Sequence, residues 1–396
     1  MVGDNLNNKK EFGLLSLILV IIVTAITTSL TTGVIIYNNE KDNKHVINMK
    51  DKSLQEFVNV YNSVLDNYYE DVNKEEMIDK AIDAMLDYLG DDYTTYLNEK
   101  ETEELSEKLA GKYQGIGVEL IEGNRINKVF AKSPAEECGL QVGDIIIKIN
   151  DKDVTTYTTS EIASEIKKDD KITKVSITVK RNEQEFTFEL EKKELNIPAV
   201  ESEIIDNNGK KTGYIYISTF SNTVYSQFKE HVNSLEAQGI DNLIIDVRNN
   251  TGGYLKAATD IASMFLEKGK IIYSLENKKT KDVYKDETKD SKNYSVVVLI
   301  NESSASASEI LAAALKESYN AQLVGKKSYG KGKVQQTADL NGGMYKYTSA
   351  KWLTPNGICI DKKGLTPDFE VDLQISADGN EVVDTQFDKA LEILGK

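Results

Sequence analysis

Ser295-Val296-Val297-Val298-Leu299-Ile300-Asn301-Glu302-Ser303-Ser304-Ala305-Ser306-Ala307-Ser308-Glu309-Ile310 reads as a strand that runs directly into a helix. The β-branched, apolar run 295–300 suits a strand buried on both faces. A helical pattern takes over from Ala307 to Ser318. The same alternation extends on both sides. Tyr214–Ile217 and Leu243–Arg248 read as strands, and Thr223–Gln238 and Tyr254–Leu266 as helices. Strands alternating with helices of this length predict an α/β layer with crossover connections over 196–373. The charged stretch Asn277–Asn293 reads as a surface excursion or lid.

The strand-to-helix junction gathers small hydroxyls at a helix start, where free N–H groups and the helix field favour a developing oxyanion. Ser306 is the serine best placed as nucleophile. Ser306-Ala307-Ser308-Glu309 is also a capping box, in which Ser306 caps the helix and Glu309 returns the bond. On pattern alone capping is the commoner meaning, and the two roles are compatible. The chain has only two histidines, His45 and His231, so a hydrolase built here needs another base. Ser328-Tyr329-Gly330-Lys331-Gly332-Lys333-Val334-Gln335 places a lysine in a glycine turn, and Ser–Lys pairs are a known variant of triad chemistry. As a base Lys331 must be neutral, which requires its pKa to fall from about 10.4 toward roughly 7–8 through burial. The plain alternative is an exposed lysine in a turn.

The chain has 396 residues, enough for two or three domains, and 40% of them are hydrophobic. A net charge of −16 argues against a nucleic-acid partner. Two cysteines, Cys138 and Cys359, are too few for a disulfide framework or a zinc site, and scarce His and Cys argue against a transition-metal enzyme. Residues Phe12–Asn39 carry no charge, and the apolar run within them reaches the roughly 20 residues that span a bilayer. A retained anchor is favoured over a cleaved signal peptide, because no small-residue cleavage site follows the run. Lys9 and Lys10 place the N-terminus inside, which puts the rest of the chain outside the cytoplasm.

Helical stripes follow at Ser53 onward (Phe57, Val60, Tyr61, Val64, Leu65, Tyr68), at Lys74–Leu89 and at Glu99–Leu109, and are read as core-packing faces. From Gly111 to Leu195 the pattern changes to short strands and glycine turns, with short helices at Pro134–Cys138 and Thr159–Ile166. Ser133-Pro134-Ala135-Glu136-Glu137-Cys138-Gly139-Leu140-Gln141-Val142-Gly143-Asp144 resembles the signature of a PDZ domain. That resemblance implies that a peptide C-terminus adds as a strand, its carboxylate held by the loop Gly115-Ile116-Gly117-Val118.

Taken together, these segments resemble the carboxyl-terminal processing peptidases, serine proteases that carry a PDZ domain. Lys331 follows Ser306 by 25 residues, which matches that family's register without a gap. The resemblance implies Ser306 as nucleophile, Lys331 as base and Gln335 as the group that orients the lysine. It implies Glu309 and Ser328 in support, and an oxyanion hole from Gly252, Gly253 and Ala307, taken from Asp246-Val247-Arg248-Asn249-Asn250-Thr251-Gly252-Gly253. It also implies a core related to crotonase and Clp-type folds. Thr251 stands where the family usually has proline, and Ser328 where it usually has threonine. Trp352–Gly357 and Gly364–Asp368 match further family segments and read as architecture.

The expected organisation is a multidomain α+β chain: a cytoplasmic N-terminus (1–11), a membrane helix (12–37), a stalk (38–52), a helical region (53–110), a PDZ domain (111–195), an α/β protease core (196–373) and a tail (374–396). The expected activity is that of a membrane-anchored serine endopeptidase acting on proteins with apolar C-termini, with no cofactor and with room for a homo-oligomer. An inactive PDZ scaffold is the main alternative, disfavoured by the intact Ser306, Lys331 and Gln335. A crotonase-like acyl-transfer enzyme is disfavoured by the PDZ domain and the membrane segment.

Overall fold

The computed structural model describes residues 51–168, 173–289, 291–340, 343–375 and 382–395. The membrane helix expected over 12–37 lies outside the described residues, among which no helix is long and apolar enough to cross a membrane. The chain divides into two compact units, Met1–Ile78 and Asp79–Lys396.

In the first unit, helix α1 (Lys52–Asn67) starts at Asp51, whose carboxylate accepts from the N–H groups of Ser53 and Leu54 at 2.9 and 3.3 Å. The structure corrects the expected packing of its apolar stripe: α1 buries no residue, and Phe57 and Val60 are exposed. A helical period specifies an apolar face but not what covers it. In α2 (Lys74–Asp87) only Leu86 is buried. Strand β1 (Thr95–Asn98) then leads into α3 (Glu99–Ala110), which opens on a reciprocal Asn98–Glu101 capping box and ends at Gly111 in the left-handed conformation.

The next stretch forms a small sheet domain. Its strands are β2 (Lys112–Gly115), β3 (Val118–Ile121), β4 (Arg125–Val129), β5 (Ile145–Ile149), β6 (Lys152–Asp153), β7 (Lys174–Arg181), β8 (Gln184–Glu191) and β9 (Lys193–Asn196). Helices α4 (Pro134–Cys138) and α5 (Thr159–Lys167) join them. Strands β3 to β8 form one sheet, and β9 returns to pair with β2. Local chemistry sets the short α4: Ser133 caps it, Pro134 opens its first turn and Gly139 closes it in the left-handed conformation. Ile126, Ile146, Ile162 and Ile177 fill the core without exposure. Asp144, 1% exposed, meets Arg181 Nε and Nη2 at 2.6 and 2.7 Å.

Removing one partner of such a pair strands a buried charge. Arg181 is itself partly exposed, so Arg181→Ala is expected to cost about 2–3 kcal/mol, less than the roughly 3–5 kcal/mol of a fully buried pair. Hydrogen exchange checks this: β5 and β7 amides should lose protection while strands beyond residue 200 keep theirs.

The remaining chain runs β10 (Val200–Asn207), β11 (Lys210–Ile217), α6 (Val224–Ala237), β12 (Asn242–Asp246), α7 (Leu255–Ser263), β13 (Ile271–Glu276), β14 (Lys281–Lys285) and β15 (Ser295–Ile300). It continues through α8 (Ala307–Tyr319), β16 (Gln322–Gly325), β17 (Lys333–Leu340), β18 (Gly343–Leu353), β19 (Phe369–Glu370) and α9 (Thr385–Leu394). The main sheet has the order β10-β11-β12-β15-β16-β19, parallel from β11 onward. Alternate residues face opposite layers. Leu243, Ile245 and Val298 pack with residues of α6, α7 and α8, whereas Ile244, Val297 and Leu299 pack with Ala390 and Leu394 of α9. The short apolar helix of the tail thus covers the sheet's second face. This is the α/β layer that the alternation predicts.

A second sheet runs β1-β18-β13-β14, with β17 also paired to β18. It includes part of the stretch 277–293, read from the sequence as a surface excursion or lid. Strands β13 and β14 form a hairpin, and Tyr273 stacks on Tyr284 with ring centroids 4.5 Å apart. Strand β14 is exposed along its whole length, so no apolar alternation marks it in the sequence.

Candidate active site

Strand β15 delivers the chain to Ser306, at the N-terminus of α8. Ser306 has φ 57° and ψ −114°, a conformation that side-chain-bearing residues rarely adopt. The neighbouring serines are engaged inside the fold. Ser304 Oγ donates to the Val247 carbonyl at 2.8 Å and Ser308 Oγ to the Asn250 carbonyl at 2.8 Å, and both residues are fully buried. Among the described residues the Ser306 hydroxyl donates no hydrogen bond.

Glu309, one turn into α8, is wholly buried. Its Oε2 accepts from the Ser306 N–H at 2.8 Å and from the Lys331 N–H at 2.9 Å. Its Oε1 accepts from Ser328 Oγ at 2.6 Å and from the Gly330 N–H at 2.7 Å. Burial raises the Glu309 pKa, and the four donors oppose the rise. A single carboxylate oxygen therefore links the backbones of Ser306 and Lys331. The Lys331 carbonyl is held from the other side by Trp352 Nε1 at 2.8 Å. Gly332 has no room for a side chain, since a Cβ there would meet the Asp361 N at 2.5 Å.

Lys331 is half-buried. Burial pulls its pKa below that of an ordinary lysine and Lys346 pushes the same way, against the attraction of Glu309 and Asp91. Its Nζ lies over the Tyr93 ring, 5.0 Å from the centroid. Among the described residues no hydrogen bond joins it to Ser306 or to Gln335. Gln335, on β17, has its Nε2 3.5 Å from Thr348 Oγ1.

The turn after β12 lies against the serine. A Cβ on Gly252 would meet Ser306 Cβ at 2.9 Å, and one on Gly253 would meet the Phe220 carbonyl oxygen at 2.3 Å. The Gly252 N–H, expected to face an oxyanion, instead donates to Asn250 Oδ1 at 2.9 Å. Neither the Gly253 N–H nor the Ala307 N–H has an acceptor among the described residues. Asn250 is buried and also donates through Nδ2 to the Ile217 carbonyl at 2.8 Å, while its own carbonyl accepts from the Ala305 N–H at 3.0 Å. It locks the glycine turn to the serine loop. The sequence signals a turn there but not this lock. Just upstream, Arg248 pairs with Asp246 at 2.6 Å and with Asp384, the cap of α9, at 2.8 Å.

In the sheet domain, Gly115, Ile116, Gly117 and Val118 line a cavity of about 270 Å³. Leu120, Ala163 and Ile166 give it an apolar wall. The Ile116 and Gly117 carbonyls are occupied by the N–H groups of Ala135 and Phe130 at 2.8 and 3.0 Å.

The chain matches three family models: peptidase family S41 over residues 211–371, a PDZ domain over 125–181 and the activating protease CtpB N-terminal domain over 25–102. It is 33% identical to a probable CtpA-like serine protease of Staphylococcus aureus strain bovine RF122 / ET3-1, over 88% of this chain and 70% of that one. It is 32% identical to a protein of the same description from Staphylococcus saprophyticus, over 93% and 74%. A solved structure from Bacteroides fragilis NCTC 9343, assigned to the S41 proteases, is similar in fold, with a TM-score of 0.50 at 17% identity over 78% of this chain and 89% of that one. Fold and relatives define a serine-type peptidase carrying a PDZ domain. The chain belongs to peptidase family S41, among the CtpA-like serine proteases.

Proposed function

We propose that this chain is an endopeptidase that captures proteins by an apolar C-terminus and cleaves them through a Ser306–Lys331 pair. The observation that carries the reading is the shared Glu309 oxygen, which accepts at 2.8 and 2.9 Å from the backbones of serine and lysine and fixes them relative to one another. Ser306 Oγ attacks the scissile carbonyl, and neutral Lys331 takes its proton and returns it to the leaving amine. The strained backbone of Ser306 supports the assignment, since strain of this kind clusters where a nucleophile is presented at a strand-to-helix turn. The oxyanion is assigned to the N–H groups of Gly253 and Ala307, with Gly252 as the residue that lets the turn lie against the serine. Gln335 orients the lysine once its amine turns toward Ser306.

Substrate capture is assigned to the groove beside Gly115–Val118, where backbone N–H groups receive a C-terminal carboxylate and the apolar wall takes the last side chain. The apolar segment 12–37 is proposed to anchor the chain, with the peptidase outside the cytoplasm. Capture by the C-terminus is tested by comparing a peptide that ends in a free apolar residue with the same peptide amidated. The free acid is expected to be cleaved with about tenfold higher kcat/KM, a difference of one charge-assisted hydrogen-bond set. Equal rates for acid and amide would remove the carboxylate from the recognition scheme.

A further inference from the structure

The Lys331 ammonium has no carboxylate within ion-pair distance among the described residues. What it meets is the Tyr93 ring, at 5.0 Å. Lys333 approaches the same ring at 5.7 Å, but its charge is matched by Asp91, with Nζ 2.8 Å from Oδ1. The ring is built into the site. Thr94 Oγ1 donates to Asp91 Oδ2 at 2.6 Å and accepts from the Thr348 N–H at 3.2 Å. The next residues form β1, which pairs with β18 from Thr95 opposite Lys346. Tyr93 is thus fixed against the hairpin that carries Gln335. The Lys331 backbone is fixed by Glu309 and Trp352. Between these two fixed points only the lysine stem is free to swing.

We propose that Tyr93 is a positioning residue: its ring docks the charged form of Lys331 away from Ser306 and releases the neutral amine to it. The face of an aromatic ring attracts a cation and has no comparable attraction for a neutral amine. The base role needs the neutral amine. Protonation state therefore selects position, and the inference rests on the reading of Lys331 as the base. The surrounding charges are Lys346 on β18, which repels the ammonium, and Glu309 on α8 and Asp91, which attract it, while the charge of Lys333 on β17 is held by Asp91. Asp92, Asp361 and Tyr329 face Tyr93. Burial works to raise the Asp91 pKa, yet hydrogen bonds from Lys333, Thr348 and Thr94 outweigh it and hold the carboxyl at about 2. Burial, with Tyr329 adding to it, pushes Tyr93 up to about 12. Neither group changes charge through the neutral range.

The test is the pH profile of kcat/KM for the whole chain carrying Tyr93→Leu, Tyr93→Phe or Tyr93→Trp. Losing the ring in Tyr93→Leu should move the acid limb down by about half to one pH unit, a three- to tenfold gain on the limb. Tyr93→Phe keeps the ring and should keep the limb in place, and Tyr93→Trp should move it up. If the ring acted only by excluding water, Tyr93→Leu would admit water to the ammonium and move the limb up instead. A limb that stays or rises in Tyr93→Leu overturns the dock. Lys331→Arg separates this from the underlying reading. Turnover in Lys331→Arg means that the base assignment itself is wrong, whereas a dead Lys331→Arg with an unmoved Tyr93→Leu limb removes only the dock. A second measurement covers a Tyr93→Leu chain that does not fold. In Ser306→Ala, the Lys331 ε-methylene protons, assigned through a further Lys331→Ala change, should resonate upfield from ring current at low pH and return downfield as the amine deprotonates. Absence of that upfield shift at every pH also overturns the dock.

Discussion

Ser306→Ala is expected to abolish peptide hydrolysis while leaving the chain folded. Removing the nucleophile of a Ser-based hydrolase lowers kcat on the order of 10⁴–10⁶-fold, because the remaining groups act only in concert with it. The fold should tolerate the change, since Ser306 Oγ donates to nothing among the described residues and gives up only its capping contact with the Glu309 N–H, a cost of about 0.5–2 kcal/mol. The Glu309 link is made by the Ser306 backbone N–H and survives in alanine. Ser306→Gly should be equally inactive and no less stable, because glycine adopts φ 57° without strain. Ser304→Ala and Ser308→Ala should behave differently. Each loses a buried hydrogen bond to the turn that carries Gly252, so each should lose about 1–2 kcal/mol of stability and only part of the activity. Peptide cleavage followed by mass spectrometry, with a thermal melt on each variant, separates these outcomes. A fully active Ser306→Ala beside a dead but stable Ser304→Ala or Ser308→Ala would move the nucleophile to a neighbour.

Much of this arrangement is legible in the sequence for local reasons. A Val/Ile run followed by small residues and a helical period specifies strand, junction and helix, so the placement of Ser306 at a helix start needs no tertiary information. Glycines around Lys331 signal a close backbone approach, and Gly332 does lie against Asp361. The segment 133–139 carries its cap Ser133, first-turn Pro134 and closing Gly139 in order.

What the sequence hides depends on contacts between distant segments. Nothing near Tyr93 points to Lys331, because the meeting is arranged by the pairing of β1 with β18. A glycine pair leaves the Gly252 N–H free as far as the sequence goes, and only the fold brings the Asn250 side chain back onto it. Strand β17, which carries Gln335, is half-buried without strict alternation and so leaves no period in the sequence. The apolar stripe of α1 gives the helix but not its surroundings: Phe57 and Val60 stay exposed, and Tyr61, Val64 and Leu65 are only half-buried.

Lys331 is expected to set the pH dependence of turnover. An ammonium has no lone pair to accept the serine proton, so only the neutral fraction is competent. At an unshifted pKa of about 10.4 that fraction near pH 7 is roughly 1 in 2,500. Burial disfavors the charged form and moves the pKa of Lys331 down, which enlarges the competent fraction. The rate should therefore rise with pH along a limb centred below the value of free lysine. Stability carries the same sign. Between the lowered folded pKa and the unfolded value near 10.4, the unfolded chain binds more protons than the folded one, so wild-type stability should rise with pH across that window. Lys331→Met lacks the titrating amine and should lose that slope along with all activity. Lys331→Arg should also be inactive, because guanidinium stays protonated in a protein. Both variants should still bind a peptide with a free apolar C-terminus, since the groove beside Gly115–Val118 belongs to a separate sheet. Stopped-assay rates from pH 5 to 10 and calorimetric peptide binding read the two halves separately. Near-normal turnover in Lys331→Arg would eliminate the lysine as base and send the search to His231, which hydrogen-bonds Ser202 at 2.6 Å on another part of the sheet.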